Sequence, residues 1–484
     1  MAYNDLREFL ADLEKKGLLK RVATEVDRDL EAAEIMDRLV RRNGPAVLLE
    51  NIKGSKIPIV GNLFGTRERV ALGLGVEEEE IEEIGRFIAA LQRPQPPEGL
   101  WDAVKKIPYF GKILTLGPKT VRSAVCHEVV NTDDPDLSAI PVIKCWPGDA
   151  GPLITWPLVV TQSPNGGPFN VGVYRMQRLD GKRAIMRWLK HRGGAAHQRQ
   201  WEATGRPMPV AVAIGCDPAT TIAGVTPVPE DVGEYHFAGV LRKKAIELVE
   251  CKTVPLKVPA SSEIVLEGEI RHADTALEGP FGDHTGYYNA AEPFPVFHLK
   301  AITHRRDPLY LTTITGRPPK EDAVIGTILN KMYLPSLKLQ FPEVVDFSLP
   351  MEAVSYRIAV VSIKKEYPGH ARRIMLGLWG ILKQFMYVKY IIVVDGDIDV
   401  HNWADVIWAI ATRVDPKRDT LLIENTPIDY LDFSSPLENL GSKMGIDATA
   451  KAPPEVTRKW GERMEMTKEI VELVNSKWKD YGIE

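Results

Sequence analysis

Cysteine is scarce in this sequence: Cys126, Cys145, Cys216 and Cys251 are the four in 484 residues, and none forms a CxxC pair. That excludes a disulfide scaffold and leaves reduced thiols as the expectation. Long apolar runs are also missing. No stretch reaches the roughly 18–20 residues a membrane-spanning helix needs. Met1-Ala2-Tyr3-Asn4-Asp5 leads straight into an amphipathic pattern, without a basic n-region, an apolar h-region or a cleavage site. A cytoplasmic protein is expected, with at most peripheral contact with a membrane. Charge of one sign is lacking too: the formal net charge is -4 and no block resembles a nucleic-acid-binding tail. The strongest cluster, Glu77-Glu78-Glu79-Glu80, reads as the solvated first turn of a helix. There is no GxSxG elbow, HExxH, Walker loop or strand followed by GxGxxG, which removes the common hydrolase, zinc-protease and nucleotide-binding signatures. The ten histidines are dispersed; His191 and His197, six apart, are poorly spaced as ligands on a helix or a strand. The Asp395-Gly396-Asp397-Ile398-Asp399 run has a metal-like composition, but acids at a strand end read as a solvated loop or cap.

What is present is ample core material. Hydrophobic residues make up 44% and charged residues 26%, enough for two to four domains of roughly 100–200 residues each. Leu6, Phe9, Leu10 and Leu13 recur at helical spacing before Gly17, and Leu30, Ile35, Met36, Leu39 and Val40 before Asn43-Gly44. Short strands are expected at 45–49 and 57–63 and two helices within 66–92, closed by the Pro94-Gln95-Pro96-Pro97-Glu98-Gly99 break. The texture then turns to strands. One at 169–176 is joined through Asp180-Gly181-Lys182 to another at 184–189 as a hairpin. Further strands are expected at 208–214, 246–251, 263–270, 296–303 and 309–315, with a helix near 232–242, which points to a barrel or sandwich. An α/β rhythm returns after 320, with helices at 320–335, 369–386 and 403–414 and strands at 344–349 and 357–364. The continuous apolar strand 390–395 is of the kind buried on both faces of a mostly parallel sheet. The tail 462–481 is amphipathic, with Met464, Ile470, Val471, Val474 and Trp478 on one side, and reads as core or partner packing or a membrane-surface helix.

Four polar segments in the strand-rich region can carry chemistry. Asn170 and Arg175 share one expected strand; an Asn oxygen suits Mg²⁺ or Mn²⁺ and a planar Arg suits a carboxylate, while a surface Asn and a snorkelling Arg are the plainer reading of the spacing. Arg187-Trp188-Leu189-Lys190-His191-Arg192-Gly193-Gly194 is either a phosphate cradle or a basic loop. Glu230 or Asp231 caps the helix after Pro229, leaving Glu234 in its first turn as a surface acid or a metal ligand. In Glu278-Gly279-Pro280-Phe281-Gly282-Asp283, Gly and Pro build a fixed loop that turns two carboxylates toward one cavity. Such a pair suits proton transfer if burial separates their pKa values; an Asx-type turn at Asp283 is the plainer reading.

Together and in this order these segments resemble the UbiD family of decarboxylases, as do Cys145-Trp146-Pro147, Thr315-Gly316-Arg317-Pro318-Pro319 and stretches 3–7, 62–66, 154–157, 217–220, 258–261, 424–433 and 441–447. The resemblance implies an N-terminal α/β domain (1–115), a central split β-barrel like that of flavin reductases (116–318), a C-terminal α/β oligomerisation domain (319–458) and a terminal amphipathic helix (459–484). It implies prenylated FMN, supplied by a separate flavin prenyltransferase, with Mn²⁺ and often K⁺ at its phosphate, and assembly as dimers or hexamers. By the same resemblance Asn170 and Glu234 match metal ligands. Val173, Tyr174, Arg175, Arg187, Trp188, Leu189, Arg192, Gly193 and Lys443 match cofactor contacts, and Arg175, Glu278 and Asp283 match the catalytic trio. In those roles Arg175 holds the substrate carboxylate, Asp283 protonates the carbon that loses CO₂, and Glu278 tunes both. Two departures stand out: Gly193 replaces a His metal ligand of several members, and Asp283 stands where some carry Glu. Within the family the resemblance is nearest to the 4-hydroxy-3-polyprenylbenzoate decarboxylases of ubiquinone biosynthesis, which yield 2-polyprenylphenol and CO₂. Other members act on other aromatic or phenolic acids in anaerobic metabolism, and some are non-catalytic partner subunits.

Overall fold

Asp5 accepts the Glu8 N–H and so caps α1 (Leu6–Lys15), whose four large apolar residues are buried, and Gly17 at φ +70° turns the chain out of it. The computed structural model describes residues 3–92, 116–190, 192–226, 233–354, 356–381 and 385–483. The break expected at 94–99, His191 and the turn at 227–232, with Glu230 and Asp231, lie outside them. β1 (Leu19–Val22), α2 (Glu31–Arg41), β2 (Ala46–Leu49), β3 (Ile59–Gly61), α3 (Arg67–Gly73) and α4 (Ile81–Gln92) complete the N-terminal part. Glu77 and Glu80 form a capping box ahead of α4, in keeping with the solvated acidic turn.

The central part contains β4 (Lys119–Val121), β5 (Val129–Asn131), β6 (Leu153–Ile154), β7 (Leu158–Thr161), β8 (Asn170–Val173), β9 (Met176–Arg178), β10 (Arg183–Met186), α5 (Gly193–Glu202), β11 (Met208–Ile214), α6 (Pro218–Ala223), α7 (Glu234–Arg242), β12 (Glu247–Glu250), β13 (Lys257–Pro259), β14 (Ile264–Glu278), β15 (Glu292–His304) and β16 (Tyr310–Leu311). Eight of these strands form an antiparallel path in the order β6-β9-β10-β15-β14-β11-β7-β8, with β5 also on β15. β8 ends one side of this sheet and β9 sits next to the other, yet only Tyr174 and Arg175 separate them in sequence. Three peptide steps span at most about 11 Å. The sheet must therefore curl until its two sides almost meet, and Arg175 lies at that seam.

This corrects the expected single strand 169–176. The alternation continues through Tyr174 and Arg175, but β8 pairs with β7 whereas β9 pairs with β10 and β6. The 309–315 strand shrinks to β16, which pairs in parallel with β3 and joins the N-terminal sheet. One apolar core runs through both parts, from Leu6 and Phe64 to Val212 and Met332.

The C-terminal part holds α8 (Glu321–Gln340), β17 (Val344–Ser348), β18 (Ile358–Ile363), α9 (His370–Ile381), β19 (Tyr390–Asp395), α10 (Trp403–Arg413), β20 (Thr420–Pro427), β21 (Leu440–Ala448) and α11 (Lys468–Lys477). Its sheet runs β17-β18-β19-β21-β20, with β19 parallel to both neighbours. Val361, Ile391 and Val393 pack on one face with α9, and Val360, Ile392 and Val394 on the other with α10. This two-sided burial is why 390–395 is apolar at every position but its ends. α8 ties the parts together: Val324 and Ile328 join the first core, Leu334 and Leu337 the C-terminal one. Asp395 and Asp397 pair with the buried Arg413. α11 has no buried residue, and Ile470, Val471 and Trp478 are exposed. No helix among the described residues is long and apolar enough to cross a membrane.

Candidate active site

Arg175 leaves the seam between β8 and β9 and enters a cage of acceptors. Its Nε donates to Glu278 Oε1 at 2.8 Å, Nη2 to Glu278 Oε2 at 3.2 Å and to Asn289 Oδ1 at 3.0 Å, and Nη1 to Asp283 Oδ2 at 2.8 Å. Glu278, the last residue of β14, is fully buried. Arg187, just past β10, adds a second positive charge at 3.5 Å from Glu278 and 3.8 Å from Asp283. Two cations thus face two anions. Phe281 lies under the Arg175 guanidinium at 5.3 Å, and Phe294 and Tyr430 flank that of Arg187 at 5.3 and 5.6 Å. Burial works to raise the Asp283 carboxyl. The hydrogen bond from His284 and the charges of Arg175 and Arg187 outweigh it and hold Asp283 well below the usual carboxylate range.

The loop from Glu278 to Asp283 is pinned through its backbone. Gly279 N donates to Gln177 Oε1, Phe281 N to Asn289 Oδ1 and Gly282 N to Asp149 Oδ1, each at 2.9–3.0 Å. Gly279 has φ +94°, a conformation side chains disfavour. A Cβ on Gly282 would meet the Trp146 ring at 2.4 Å. Each of these three N–H groups is satisfied by a side chain from outside the loop, and Asp283 N by Tyr287 O, so the loop holds its acids in one geometry.

On the other side of the Tyr174–Arg175 link the second group of candidates gathers. The Tyr174 hydroxyl donates to Asn170 Oδ1 at 3.4 Å and accepts from Gly194 N at 3.3 Å. Glu234, first in α7, is drawn alongside Asn170 by accepting Val171 N at 3.1 Å, and burial pushes its carboxyl up. Gly193 opens α5, and a Cβ there would lie 2.0 Å from Asn170 Oδ1. Trp188 packs edge-on against Tyr174 at 5.7 Å, Leu189 is half-buried and Arg192, the N-cap of α5, is exposed. These are hard oxygen donors beside the N-terminus of a helix. They fit a divalent cation and a phosphate, with Gly193 leaving the space. Val173 ends β8 at the same place.

Lys443 is not drawn into either group. From β21 its Nζ donates to Met386 O and to Val388 O, the latter at 3.0 Å, and burial brings it down to about 8. Asn289, Gln177, Asp149 and His284, which hold the trio and its loop, carry no signal of residue type in the sequence; only their nearness to the Glu278–Asp283 segment and to Cys145-Trp146-Pro147 marks two of them. His197 bonds Thr161 Oγ1 at 2.9 Å, a satisfied structural histidine.

Residues 10–88, 119–318 and 323–448 match, in turn, the N-terminal, Rift-related and C-terminal domains described for 3-octaprenyl-4-hydroxybenzoate carboxy-lyase. The UbiD-class enzyme HmfF from Pelotomaculum thermopropionicum, solved with FMN, is 32% identical over 97% of this chain and 99% of its own, with a TM-score of 0.81. An evolved dimeric form of HmfF, also 32% identical over 96% and 97% with a TM-score of 0.78, holds prenylated FMN. The vanillic acid decarboxylase of Sedimentibacter hydroxybenzoicus, in its closed form, is 31% identical over the full length of both chains, with a TM-score of 0.86. Matches of this extent, in all three parts and in order, show that the chain belongs to the UbiD family of carboxy-lyases.

Proposed function

We propose that this carboxy-lyase decarboxylates a 4-hydroxybenzoate carrying a 3-substituent, with prenylated FMN as cofactor. The observation that carries the reading is the half-buried Arg175, held between Glu278 and Asp283 at hydrogen-bond distance. A planar guanidinium binds carboxylates in a bidentate way. An aromatic carboxylate taking Nη1 and Nη2 displaces Asp283 from the first and Asn289 from the second, while Glu278 keeps Nε. Freed from one of its two guanidinium neighbours, Asp283 regains a proton-binding affinity that fits a general acid, and it gives its proton to the ring carbon as CO₂ departs. Glu278 stays paired with Arg187 at 3.5 Å.

Prenylated FMN, when bound, supplies the electron sink that losing CO₂ from an aromatic ring requires. Asn170 and Glu234 would hold Mn²⁺, and the first N–H groups of α5, with Arg192, would meet the phosphate; K⁺ would be a further occupant of that region, and Lys443 stays on Met386 O and Val388 O. Val173, Tyr174, Trp188 and Leu189 would line the flavin. The ring pattern rests on names shared by the relatives: octaprenyl-hydroxybenzoate in the family description and vanillic acid, a 4-hydroxy-3-methoxybenzoate, in the Sedimentibacter enzyme. A para hydroxyl also feeds electron density to the carbon that takes the proton. The polyprenyl substrate of ubiquinone biosynthesis is the long-chain member of this class. The exposed apolar face of α11 serves copy-to-copy packing in a homo-oligomer.

The test is native mass spectrometry with a UV–visible spectrum, on protein co-expressed with and without a flavin prenyltransferase, followed by CO₂ release from 4-hydroxybenzoate, vanillate and a short 3-prenyl analogue. A mass increment for prenylated FMN and manganese, with turnover of a 3-substituted ring, is expected. A loaded enzyme inert toward all three would overturn the substrate class, and a colourless, metal-free chain would overturn the cofactor.

A further inference from the structure

Asp283 has a neighbour with no assigned role. Its Oδ1 accepts from the backbone N–H of His284 at 2.8 Å and lies 2.8 Å from the Nδ1 of the same residue. The other ring nitrogen, Nε2, is 3.2 Å from the hydroxyl of Tyr356, and that hydroxyl donates to Asp429 Oδ2. His284 stands in the loop that follows β14, whereas Tyr356 precedes β18 and Asp429 follows β20. The line of contacts therefore runs from the candidate acid across to the C-terminal sheet.

The hydrogens along this line can be counted. A tyrosine hydroxyl has one, and here it is committed to Asp429, so its oxygen presents only lone pairs to His284 and Nε2 must carry a hydrogen. Nδ1 faces a carboxylate oxygen and must carry one as well. A ring with hydrogens on both nitrogens is an imidazolium. The surrounding charges agree: Asp283, Asp322 of α8 and Asp429 all favour it. Arg175 and Arg187 turn their guanidinium groups on Asp283, and Arg357 faces Asp429 at 3.3 Å. Burial works to lower His284, but the hydrogen bond to Asp283 and these carboxylates outweigh it and raise it above its ordinary value.

We propose that the His284 imidazolium is the proton store for Asp283, and that Tyr356 and Asp429 hold its charge from across the seam between the two sheets. The inference rests on Asp283 as the proton donor of the reaction proposed above. Each turnover exchanges a C–CO₂ bond for a C–H bond and so consumes one proton. When Arg175 turns from Asp283 to the substrate, the Nδ1–H bond of His284 breaks and an O–H bond forms on Asp283 Oδ1. Asp283 passes that proton to the ring carbon, and the neutral imidazole, still bearing hydrogen on Nε2, is recharged from water. His284 is a positioning residue in this scheme, because it reaches the reacting carbon only through Asp283. Apposition of the C-terminal sheet becomes a condition for a charged His284.

The first measurement uses the full-length, cofactor-free chain with ¹³C-labelled histidine. The ring signal lost in His284→Gln identifies His284, and its titration is followed by NMR. In the wild type it is expected to titrate above about 6.5, the ordinary histidine value, and in Tyr356→Phe to move down by roughly one pH unit as the Nε2 acceptor and its link to Asp429 are lost. Asp429→Asn gives the same test should the first variant fold poorly. Equal titration in wild type and both variants would overturn the charge network. The second measurement is the pH profile of kcat on loaded enzyme: the alkaline limb is expected to follow the same titration and to shift with it in Tyr356→Phe, at unchanged flavin content. A limb that stays put while the NMR titration moves would overturn the proton store. Inert wild-type enzyme would refute the decarboxylase reading instead, and the NMR result would still decide whether Tyr356 and Asp429 hold the charge.

Discussion

Replacing Gly193 with alanine probes the proposed metal and phosphate site without touching a charged group. The added Cβ would sit 2.0 Å from Asn170 Oδ1 and 2.8 Å from its Cγ, and ordinary contact begins near 3.4 Å. The carboxamide must therefore retreat by about 1.4 Å. Metal–oxygen distances in a working site hold to a few tenths of an ångström, so the oxygen leaves the coordination sphere. The fold should tolerate the change. The obstructing atom is the end of a side chain, and alanine at the start of α5 improves helix propensity by up to about 1 kcal/mol. Stability and binding are thus expected to move in opposite directions. Even loss of a group behind a metal ligand weakens binding by roughly 10–100-fold, and displacement of the ligand itself should do at least that. The assay is manganese and flavin content of protein co-expressed with the prenyltransferase, with Mn²⁺ titration of the cofactor-free chain by EPR and a thermal melt of each. Full manganese and flavin stoichiometry in Gly193→Ala would refute the placement of the metal beside Asn170. A melt lowered by many degrees would refute the claim that the effect is local.

Asp283→Asn should lower turnover by roughly 10²–10⁴-fold while manganese and flavin content stay at the wild-type level; full activity would remove Asp283 from the chemistry. Asn289→Ala leaves the buried Phe281 N–H without its acceptor and loosens Arg175. A stability loss of about 1–3 kcal/mol in urea unfolding is expected, with a fall in kcat larger than any rise in KM, and an unchanged kcat would show that the loop does not need this pin. Burial raises Glu321 from 4.5 to about 7 despite hydrogen bonds from Thr313 and Phe64 N. The folded state then keeps a proton that the unfolded chain releases, so stability falls as pH rises between those two values. Glu321→Gln keeps the acceptor for Phe64 N and cannot titrate. Its melting temperature should lack that downward slope and exceed the wild type at about pH 8, and parallel curves for the two proteins would refute the assignment.

Where local pattern decides structure, the sequence could be read closely. Residues 208–214 and 390–395 were expected as strands and are β11 and β19 with the same bounds, and the Asp180-Gly181-Lys182 hairpin joins β9 to β10. Where a distant partner decides, it could not. Tyr174 and Arg175 continue the alternation of β8, yet the chain changes partners there because the sheet curls back on itself, and no local window contains that event. The same holds for β16, claimed by the N-terminal sheet, and for β20 and β21, whose polar positions hide a strand period. α5 was missed because Gly193-Gly194 reads as a turn. In the site, the residues that could be found are those whose type is rare in a buried strand region: two carboxylates, an arginine and a Gly/Pro loop. Asn289, Gln177 and Asp149 do equal work in holding that loop, but they do it by accepting backbone N–H groups, which almost any polar side chain can do. Their identity follows only from where the backbone passes. Arg175 shows how the two kinds of information meet. Its type suits a carboxylate and the family resemblance implied that role, but the cause of its placement is topological: the two residues that close the curled sheet have nowhere to point but inward or along the seam. A cation forced into that position must be balanced, and Glu278, Asp283 and Asn289 are the balance. Once a substrate carboxylate can replace one of them, the same constraint that closes the sheet also sets which acid is released to give up a proton.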